Sequence, residues 1–368
     1  MTNRSTSVRV LSIAAAVGAV LSVIGSGMAA AAPPEGSTGP TAGPTDAKHI
    51  KLHLIDGTQK IQSRKSARSA PAALTSTVAS YSTTNIDANT GKSYPARFVG
   101  GSPSANATTT ITVNLVPMNF VLQNANGTST TINASAAATA TAGSPMFTNT
   151  ATKPAGEVTQ YLDAYVRANA GKVGSNYHLL LNPVVKAPVT VTVPYGQWST
   201  VGSEYGVLDT TIQNAVTTNG ISGAYSATGL TMFVAPNVYG DDGTFQGSGF
   251  GGYHDQRGNY TFGYANIEAN NTNLQAFSHE VAEWAMDPFV GGTQYNVVPG
   301  SSVAGYGCLT NLEVGDPVYT STYTQVVGST TWKLEDEVYV PWFFHTSPSP
   351  SYQGKYSMLG LTSPATSC

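Results

Sequence analysis

One segment of the chain places a histidine and two glutamates at the spacing of a helix face. Residues 277–288 read FSHEVAEWAMDP, so that His279 and Glu283 are four positions apart and Glu280 directly follows the histidine. Residues four apart share one face of a helix. His279 and Glu283 can therefore bind one cation, with Glu280 close enough to act on a water beside it. This is the logic of the His-Glu-x-x-His zinc helix, with Glu in place of the second His. The alternative is a buried histidine beside two solvated carboxylates, with no ion.

A third ligand is needed, because two protein ligands rarely hold zinc. Residues 311–316, NLEVGD, place two carboxylates three positions apart around a glycine. Glu313 is the first choice as ligand. Asp316 is expected either as the alternative ligand or as the acceptor of the free ring N–H of His279, which would fix the tautomer. An ordinary acidic turn explains the same segment without a metal ion.

Two further polar segments bear on the chemistry. His254 lies in the sequence GGYHD, and we expect it to serve as a ligand or to donate to a developing oxyanion; a loop histidine without a role is the alternative. The acidic triplet 335–337 is most simply interpreted as a solvated hairpin turn.

Hydrophobic spacing predicts the elements that must position these residues. Helical spacing predicts helices over Glu157–Asn169, Tyr205–Thr218 and Asn273–Met286, the last of which Pro288 ends. Alternating or apolar runs predict strands over Ile111–Leu122 (with Pro117 as a point of division), Tyr177–Val185, Val189–Tyr195, Leu230–Val238, Tyr260–Ile267 and Trp332–Phe344. Helices and strands interleave without a regular βαβ repeat, which predicts a mixed α+β domain with a twisted sheet.

The N-terminus has the pattern of an export signal. Two arginines, Arg4 and Arg9, precede an apolar run over Val10–Ile24, and small residues follow it. A membrane anchor is the alternative, but the run is shorter than the ~20 residues of a spanning helix. We therefore expect a signal peptide over residues 1–31, a largely disordered linker or pro-segment over 32–95, and one α+β domain over 96–368.

Composition indicates which classes of protein the chain can belong to. Hydrophobic residues make up 41% of the 368-residue chain, enough for a sizeable core, whereas charged residues make up only 10% and the net charge is −3. This composition lacks the basic surface that nucleic-acid binding requires, so we expect no nucleic-acid partner. No later segment is apolar enough to span a bilayer, so we expect a secreted, extracellular protein. Its two cysteines, Cys308 and Cys368, are expected to form a disulfide, as is usual in exported chains.

Several short blocks resemble secreted proteins related to the plant Exordium, or phosphate-induced, family, and their bacterial zincin-like relatives. The blocks are FSHEVAEWAMDPFV at 277–290, LEVGD at 312–316, GYH at 252–254, YVPW at 339–342 and TQYLDAYVR at 159–167. The resemblance covers about residues 110–345 and implies a zincin-like metal helix in a secreted protein. The plant proteins are associated with cell-wall growth and extracellular signalling. The chain departs from their pattern in having fewer cysteines, and in having Asp287-Pro288 where they have Asn-Pro.

Together these observations predict a secreted metal-dependent hydrolase, most simply a zinc peptidase. His279, Glu283 and Glu313 would bind Zn²⁺, and Glu280 would take the proton from the attacking water. One histidine with two carboxylates also tolerates harder divalent ions such as Mn²⁺ or Ca²⁺. The strand Tyr260–Ile267 would be the edge along which an extended extracellular peptide pairs.

A second hypothesis belongs to a different functional class. It is a non-catalytic extracellular protein of Exordium type that binds cell-wall polymer or carbohydrate, in which the metal ion serves the structure. Exposed aromatic side chains would favour it, and the chain offers 19 tyrosines besides Trp198, Trp332 and Trp342.

Overall fold

The fold is mixed α+β, mostly strands with a few helices in several sheets, as the sequence predicts at the level of class. The computed structural model describes residues 51–52, 78–153, 156–245, 248–268, 270–290, 296–303 and 307–368, all within one compact unit, Ala47–Cys368. The expected signal peptide, residues 1–31, lies outside the described residues, as does most of the expected linker. None of the helices in the described ranges is long and apolar enough to cross a membrane.

The strands are numbered in chain order. They are β1 Lys51–Leu52, β2 Ser80–Ile86, β3 Ser93–Val99, β4 Thr108–Gln123, β5 Ser129–Ile132, β6 Thr150–Ala151, β7 Val158–Thr159, β8 His178–Val185, β9 Val189–Val193, β10 Trp198–Val201, β11 Glu204–Leu208, β12 Leu230–Pro236, β13 Val238–Asp241, β14 Ser248–Phe250, β15 Gly252–Arg257, β16 Tyr260–Ile267, β17 Val297–Val303, β18 Gly307–Asn311, β19 Thr322–Val327 and β20 Thr330–Glu335.

The helices are fewer and shorter. The α-helices are α1 Ser135–Ala142, α2 Tyr161–Asn169, α3 Asp209–Asn219, α4 Gln275–Met286 and α5 Val340–Phe343. Single turns of 3₁₀ type lie at Pro103–Ala105, Asp316–Val318 and Tyr352–Gly354, and a π-type turn, Gly220–Ala224, follows α3.

The largest sheet among the described residues has seven strands. Its path runs β15-β16-β12-β4-β5, and β8 and β9 pair in addition with β4. The strands β8, β9, β12 and β16 all run in one direction with β4, whereas β15 and β5 are antiparallel to their neighbours. A smaller sheet has the order β1-β14-β13-β11-β10, and β2–β3, β6–β7, β17–β18 and β19–β20 are separate pairs.

Pro117 does not divide β4, which continues for 16 residues. Instead, the neighbouring strand changes at this point. β8 pairs with Thr108–Leu115, and β9 pairs with Met118–Leu122. Because proline has no N–H to donate to the ladder, the gap between two partner strands is a position where it costs little.

The strand expected to be the edge of the sheet lies inside it. Tyr260–Ile267 is a strand, β16, with the predicted bounds, but it pairs with β12 on one side and β15 on the other. It is buried at every position except Tyr260. The edge beside it is formed by β15, which carries His254. Periodicity identified the strand, but its neighbours are tertiary information, so the expectation that β16 is the edge was wrong.

Three element boundaries also differ by four residues or more from those expected. The helix predicted over Glu157–Asn169 begins only at Tyr161, because Val158–Thr159 forms β7. The helix predicted over Tyr205–Thr218 begins only at Asp209, because β11 takes the residues before it into a sheet with β10 and β13. The last predicted strand, Trp332–Phe344, ends at Glu335, and the chain then turns into α5, whose first turn contains Pro341.

Ordered structure begins before residue 96. Strands β2 and β3 form an antiparallel hairpin, with Ser80 opposite Val99 and Ile86 opposite Ser93. Most of this hairpin falls in the segment expected to be largely disordered, since serine and threonine dominate β2 and obscure its alternation. Val78, Phe98 and Val99 are buried in the core.

The predicted disulfide is confirmed. Cys308 in β18 and the C-terminal Cys368 are bonded, with their Cα atoms 5.9 Å apart and a sequence separation of 60. The bond closes a loop that contains the segment 312–316 and the acidic triplet 335–337. It therefore constrains the segments that complete the candidate site.

Candidate metal centre

Helix α4 is the central element of the candidate site. All 12 of its residues are buried, and it packs against β15, β16 and β20. Phe277, Val281 and Trp284 belong to the hydrophobic core, and the Trp284 indole N–H donates to Thr261 Oγ1 at 2.9 Å. These apolar contacts fix the helix, which leaves its polar residues facing other polar segments.

His279 is completely buried and contacts carboxylates through both ring nitrogens. Its Nδ1 donates to Glu335 Oε1 at 2.9 Å. Its Nε2 lies 2.9 Å from Glu283 Oε1 and 3.8 Å from Asp316 Oδ1. A buried nitrogen this close to two carboxylate oxygens is arranged as one ligand beside others.

Glu335 is the functional candidate that sequence reasoning missed. The triplet 335–337 is not a solvated turn, because all three side chains are fully buried. Glu335 accepts from His279, Glu337 accepts from the Tyr161 hydroxyl at 2.9 Å, and Asp336 accepts from the backbone N–H of Leu359. Three consecutive carboxylates are typical of a solvated turn. The one sequence signal for their burial was that they fall within the segment predicted as the last strand, Trp332–Phe344.

His254 lies in β15 and faces helix α4. Its Nε2 donates to the backbone carbonyl of Asp287 at 3.2 Å. Its Nδ1 lies 3.2 Å from Glu280 Oε2 and 3.6 Å from Glu283 Oε2. Both ring nitrogens therefore face protein atoms, and the arrangement suits a ligand better than a donor to a substrate oxyanion.

The segment 312–316 docks against the helix and supplies the remaining carboxylates. The Gly315 N–H donates to Glu283 Oε1 at 3.1 Å, and Glu313 and Asp316 are both buried. The structure brings together two groups whose ligand atoms lie within 4.8 Å of one another: His279 with Glu283 and Asp316, and His254 with Glu283 and Glu313. Asp316, the second choice from sequence, is thus grouped with His279, and Glu313 is grouped with His254.

Two glycines allow this close packing. A Cβ at Gly315 would overlap the imidazole of His279, and a Cβ at Gly252 would lie 2.7 Å from Glu280 Cγ. Neither glycine has a positive φ, so the requirement is for space rather than for a left-handed backbone. Each keeps a polar side chain of α4 in contact with a neighbouring segment.

The electrostatics of the site favour a positive charge at its centre. Burial alone would lower the pKa of His279, but the Glu283 and Glu335 carboxylates raise it well above its ordinary value. Burial likewise opposes protonation of His254, yet Glu280, Glu283 and Asp287 raise its pKa to about 9. A proton or a metal ion can supply the charge that these carboxylates require.

The two glutamates of α4 differ in proton affinity. Burial raises the pKa of Glu280 above its ordinary value, although its hydrogen bond with His254 opposes the shift. Burial acts in the same direction on Glu283, but the charge on His279 outweighs it and lowers the pKa of Glu283. Glu283 is thus suited to remain an anionic ligand, whereas Glu280 is suited to exchange a proton.

Comparison with known proteins identifies no relative of this chain. No family model matches the chain, and no curated protein or solved structure is significantly similar to it.

Proposed function

We propose that this protein is a secreted metal-dependent hydrolase that acts on extracellular peptides, with a zincin-like helix. The observation that carries the proposal is the buried His279 Nε2, which faces Glu283 and Asp316 while Glu335 fixes the opposite ring nitrogen. Ligating histidines characteristically donate their second N–H to a carboxylate in this way. The export signal, the disulfide and the Exordium-like blocks of the sequence support an extracellular location.

The donor set fits a divalent cation. One imidazole nitrogen and two carboxylate oxygens suit Zn²⁺ and also admit Mn²⁺. A bound cation of this kind polarises a carbonyl and lowers the pKa of water. His279, Glu283 and Asp316 would hold it, and the Gly315 N–H would keep Glu283 Oε1 in position.

Glu280 is the proposed general base. Its Oε1 is buried and makes no hydrogen bond in the described structure, whereas Oε2 is held by His254. The group is therefore fixed in orientation but keeps one oxygen available to accept a proton from water and to return it to a leaving amine. Its raised pKa favours both steps.

The edge strand β15 is the proposed place for an extended peptide. No described strand pairs with its outer edge, and β15 packs against helix α4. A peptide that added to this edge through main-chain hydrogen bonds would run beside Glu280 and His254. This replaces the expectation that β16 binds the peptide.

Glu280→Gln tests the proposal. We expect the purified Zn²⁺-loaded protein to cleave an unfolded protein substrate, and the variant to keep its metal while losing ~10²- to 10⁴-fold in rate, the usual worth of a general base. Glu268→Gln is the matched control, because Glu268 is partly buried and belongs to neither ligand group. Equal rates for wild type and Glu280→Gln would refute the assigned mechanism, and a protein that takes up no metal would refute the proposal.

A non-catalytic binding protein with a structural ion is the second candidate. The observation in its favour is burial: His254, Glu283, Glu313 and Asp316 are each only 3% exposed, whereas catalytic sites keep an open coordination position. Its expected aromatic surface is reduced, since Trp332 and Trp342 are each only 5% exposed. Metal removal that lowers the unfolding temperature, without peptide cleavage by the loaded protein, would favour this candidate.

A further inference from the structure

The two ligand groups share one residue, Glu283. Its Oε1 lies 2.9 Å from His279 Nε2, and its Oε2 lies 3.6 Å from His254 Nδ1. The two oxygens of a single carboxylate thus face two different imidazoles. A carboxylate that presents one oxygen to each of two centres is arranged as a bridge between them.

Each histidine is oriented so that one nitrogen faces this carboxylate. The ring N–H of His279 at Nδ1 is satisfied by Glu335, and the ring N–H of His254 at Nε2 is satisfied by the Asp287 carbonyl. The remaining nitrogens, His279 Nε2 and His254 Nδ1, both point toward carboxylate oxygens. In neutral imidazoles these nitrogens carry lone pairs, and an ion at His254 Nδ1 would take the place of the proton through which this nitrogen contacts Glu280. Donor atoms of ligand type thus converge from both sides.

Carboxylates on the His254 side also require a counterion. Ligand atoms of Glu313, Glu283 and His254 all lie within 4.8 Å of one another. Glu280 Oε2 approaches the same imidazole. Carboxylates this close in a buried site cannot all be ionised without a shared proton or a cation between them. One ion at His279 would leave this second group to be neutralised by a proton or by a second ion.

We infer that the chain binds two divalent cations, bridged by Glu283. His279 and Asp316 would hold the first, and His254 and Glu313 the second. The inference rests on the proposed function and extends it from a single ion to a pair. Two-metal hydrolytic sites hold their ions about 3.5–4 Å apart, a separation that a bridging carboxylate spans. Nitrogen and carboxylate donors on each side suit Zn²⁺ or Mn²⁺.

Metal stoichiometry tests the inference independently of activity. The purified protein is loaded with Zn²⁺, freed of excess ion and analysed for zinc per chain. We expect two ions in the wild type, one in His254→Ala and in Glu313→Gln, and none in Glu283→Ala. His178→Ala is the control and should keep both, since His178 pairs with Asp163 and belongs to neither group. Near-UV circular dichroism verifies that each variant is folded. If His254→Ala does not fold, the zinc content of the nearly isosteric Glu313→Gln variant decides the test.

A spectroscopic measurement tests the bridge itself. The wild type loaded with Mn²⁺ should give the electron paramagnetic resonance spectrum of an exchange-coupled pair, and His254→Ala that of an isolated ion. One zinc per wild-type chain, or two zincs that survive both substitutions, would overturn the inference while leaving the proposed function intact. Spectra of two uncoupled ions would overturn the bridge, and no bound zinc at all would refute the proposed function too.

Discussion

Glu335 accepts a hydrogen bond from His279 at 2.9 Å across 56 positions of sequence. The contact joins the end of β20 to the middle of α4, and a second bond, from the Glu335 N–H to Ser278 Oγ at 3.0 Å, repeats the connection one residue away. The acidic triplet thus belongs to the candidate centre, where Glu335 fixes which nitrogen of His279 faces Glu283 and Asp316.

Substitution of Glu335 should weaken metal binding without removing a ligand. We expect Glu335→Gln to lower Zn²⁺ affinity by about 10- to 100-fold, the usual effect of losing a partner of a ligating histidine. Competition with a chelator of known affinity measures the change. Thr331→Ala, at an exposed position on the same strand, should leave affinity unchanged. A Glu335→Gln variant with wild-type affinity would show that the contact has no role in positioning His279.

A methyl group at Gly315 should displace His279. The Cβ of Gly315→Ala would overlap the imidazole, and the φ of −84° at this position is open to alanine. The damage should therefore be steric and local, with a loss of Zn²⁺ affinity of about tenfold or more, as for other disturbed partners of metal ligands. Gly143→Ala, where a Cβ would lie 3.6 Å from its nearest neighbour, should bind metal normally. Isothermal titration with Zn²⁺ compares the two, and equal affinities would contradict the prediction.

Loss of the disulfide should destabilise the domain substantially. Closure of a loop of this length is worth about 4 kcal/mol on the chain-entropy estimate. The double variant Cys308→Ser, Cys368→Ser should therefore unfold at lower urea concentration, and the reduced wild type should behave like it. Urea unfolding under oxidising and reducing conditions measures the difference. A wild type unaffected by reduction would mean that the remaining contacts already hold these segments in place.

Stability should fall in acid partly through Asp87. Burial alone would raise the pKa of Asp87, but hydrogen bonds with Thr90, His345 and Asn89 outweigh it and lower the pKa below its ordinary 3.8. A carboxyl whose pKa is lower in the folded chain stabilises the fold above its unfolded pKa, and this contribution is lost as the pH falls through the folded value.

The comparison is between wild type and Asp87→Asn in urea at a series of pH values. We expect the difference in free energy of unfolding to be largest near neutrality and to shrink below about pH 4, where the unfolded chain binds a proton. A difference that stays constant into acid would assign the effect to packing rather than to charge.

Helix α4 shows what local pattern can predict. Its apolar residues recur at helical spacing and its end precedes Pro288, so its bounds were found to within two residues. The bounds of β16 were also found, because its large apolar residues alternate with smaller or polar ones, although almost every position is buried. Helix α2 was identified as well, but it begins four residues later than predicted. Where an element is short or rich in serine and threonine, as in β2, that period is weak, and the hairpin was missed.

The candidate site likewise has features that the sequence predicted and features that it did not. Sequence alone identified the polar residues His254, His279, Glu280, Glu283, Glu313 and Asp316, because their types and spacing are a property of the chain. Only the tertiary structure decided which carboxylate accompanies which histidine, that β15 rather than β16 is the edge, and that Glu335 is buried against His279. These relations join segments far apart in sequence, and their positions depend on how strands pair and how α4 packs on the sheet, which no local period encodes.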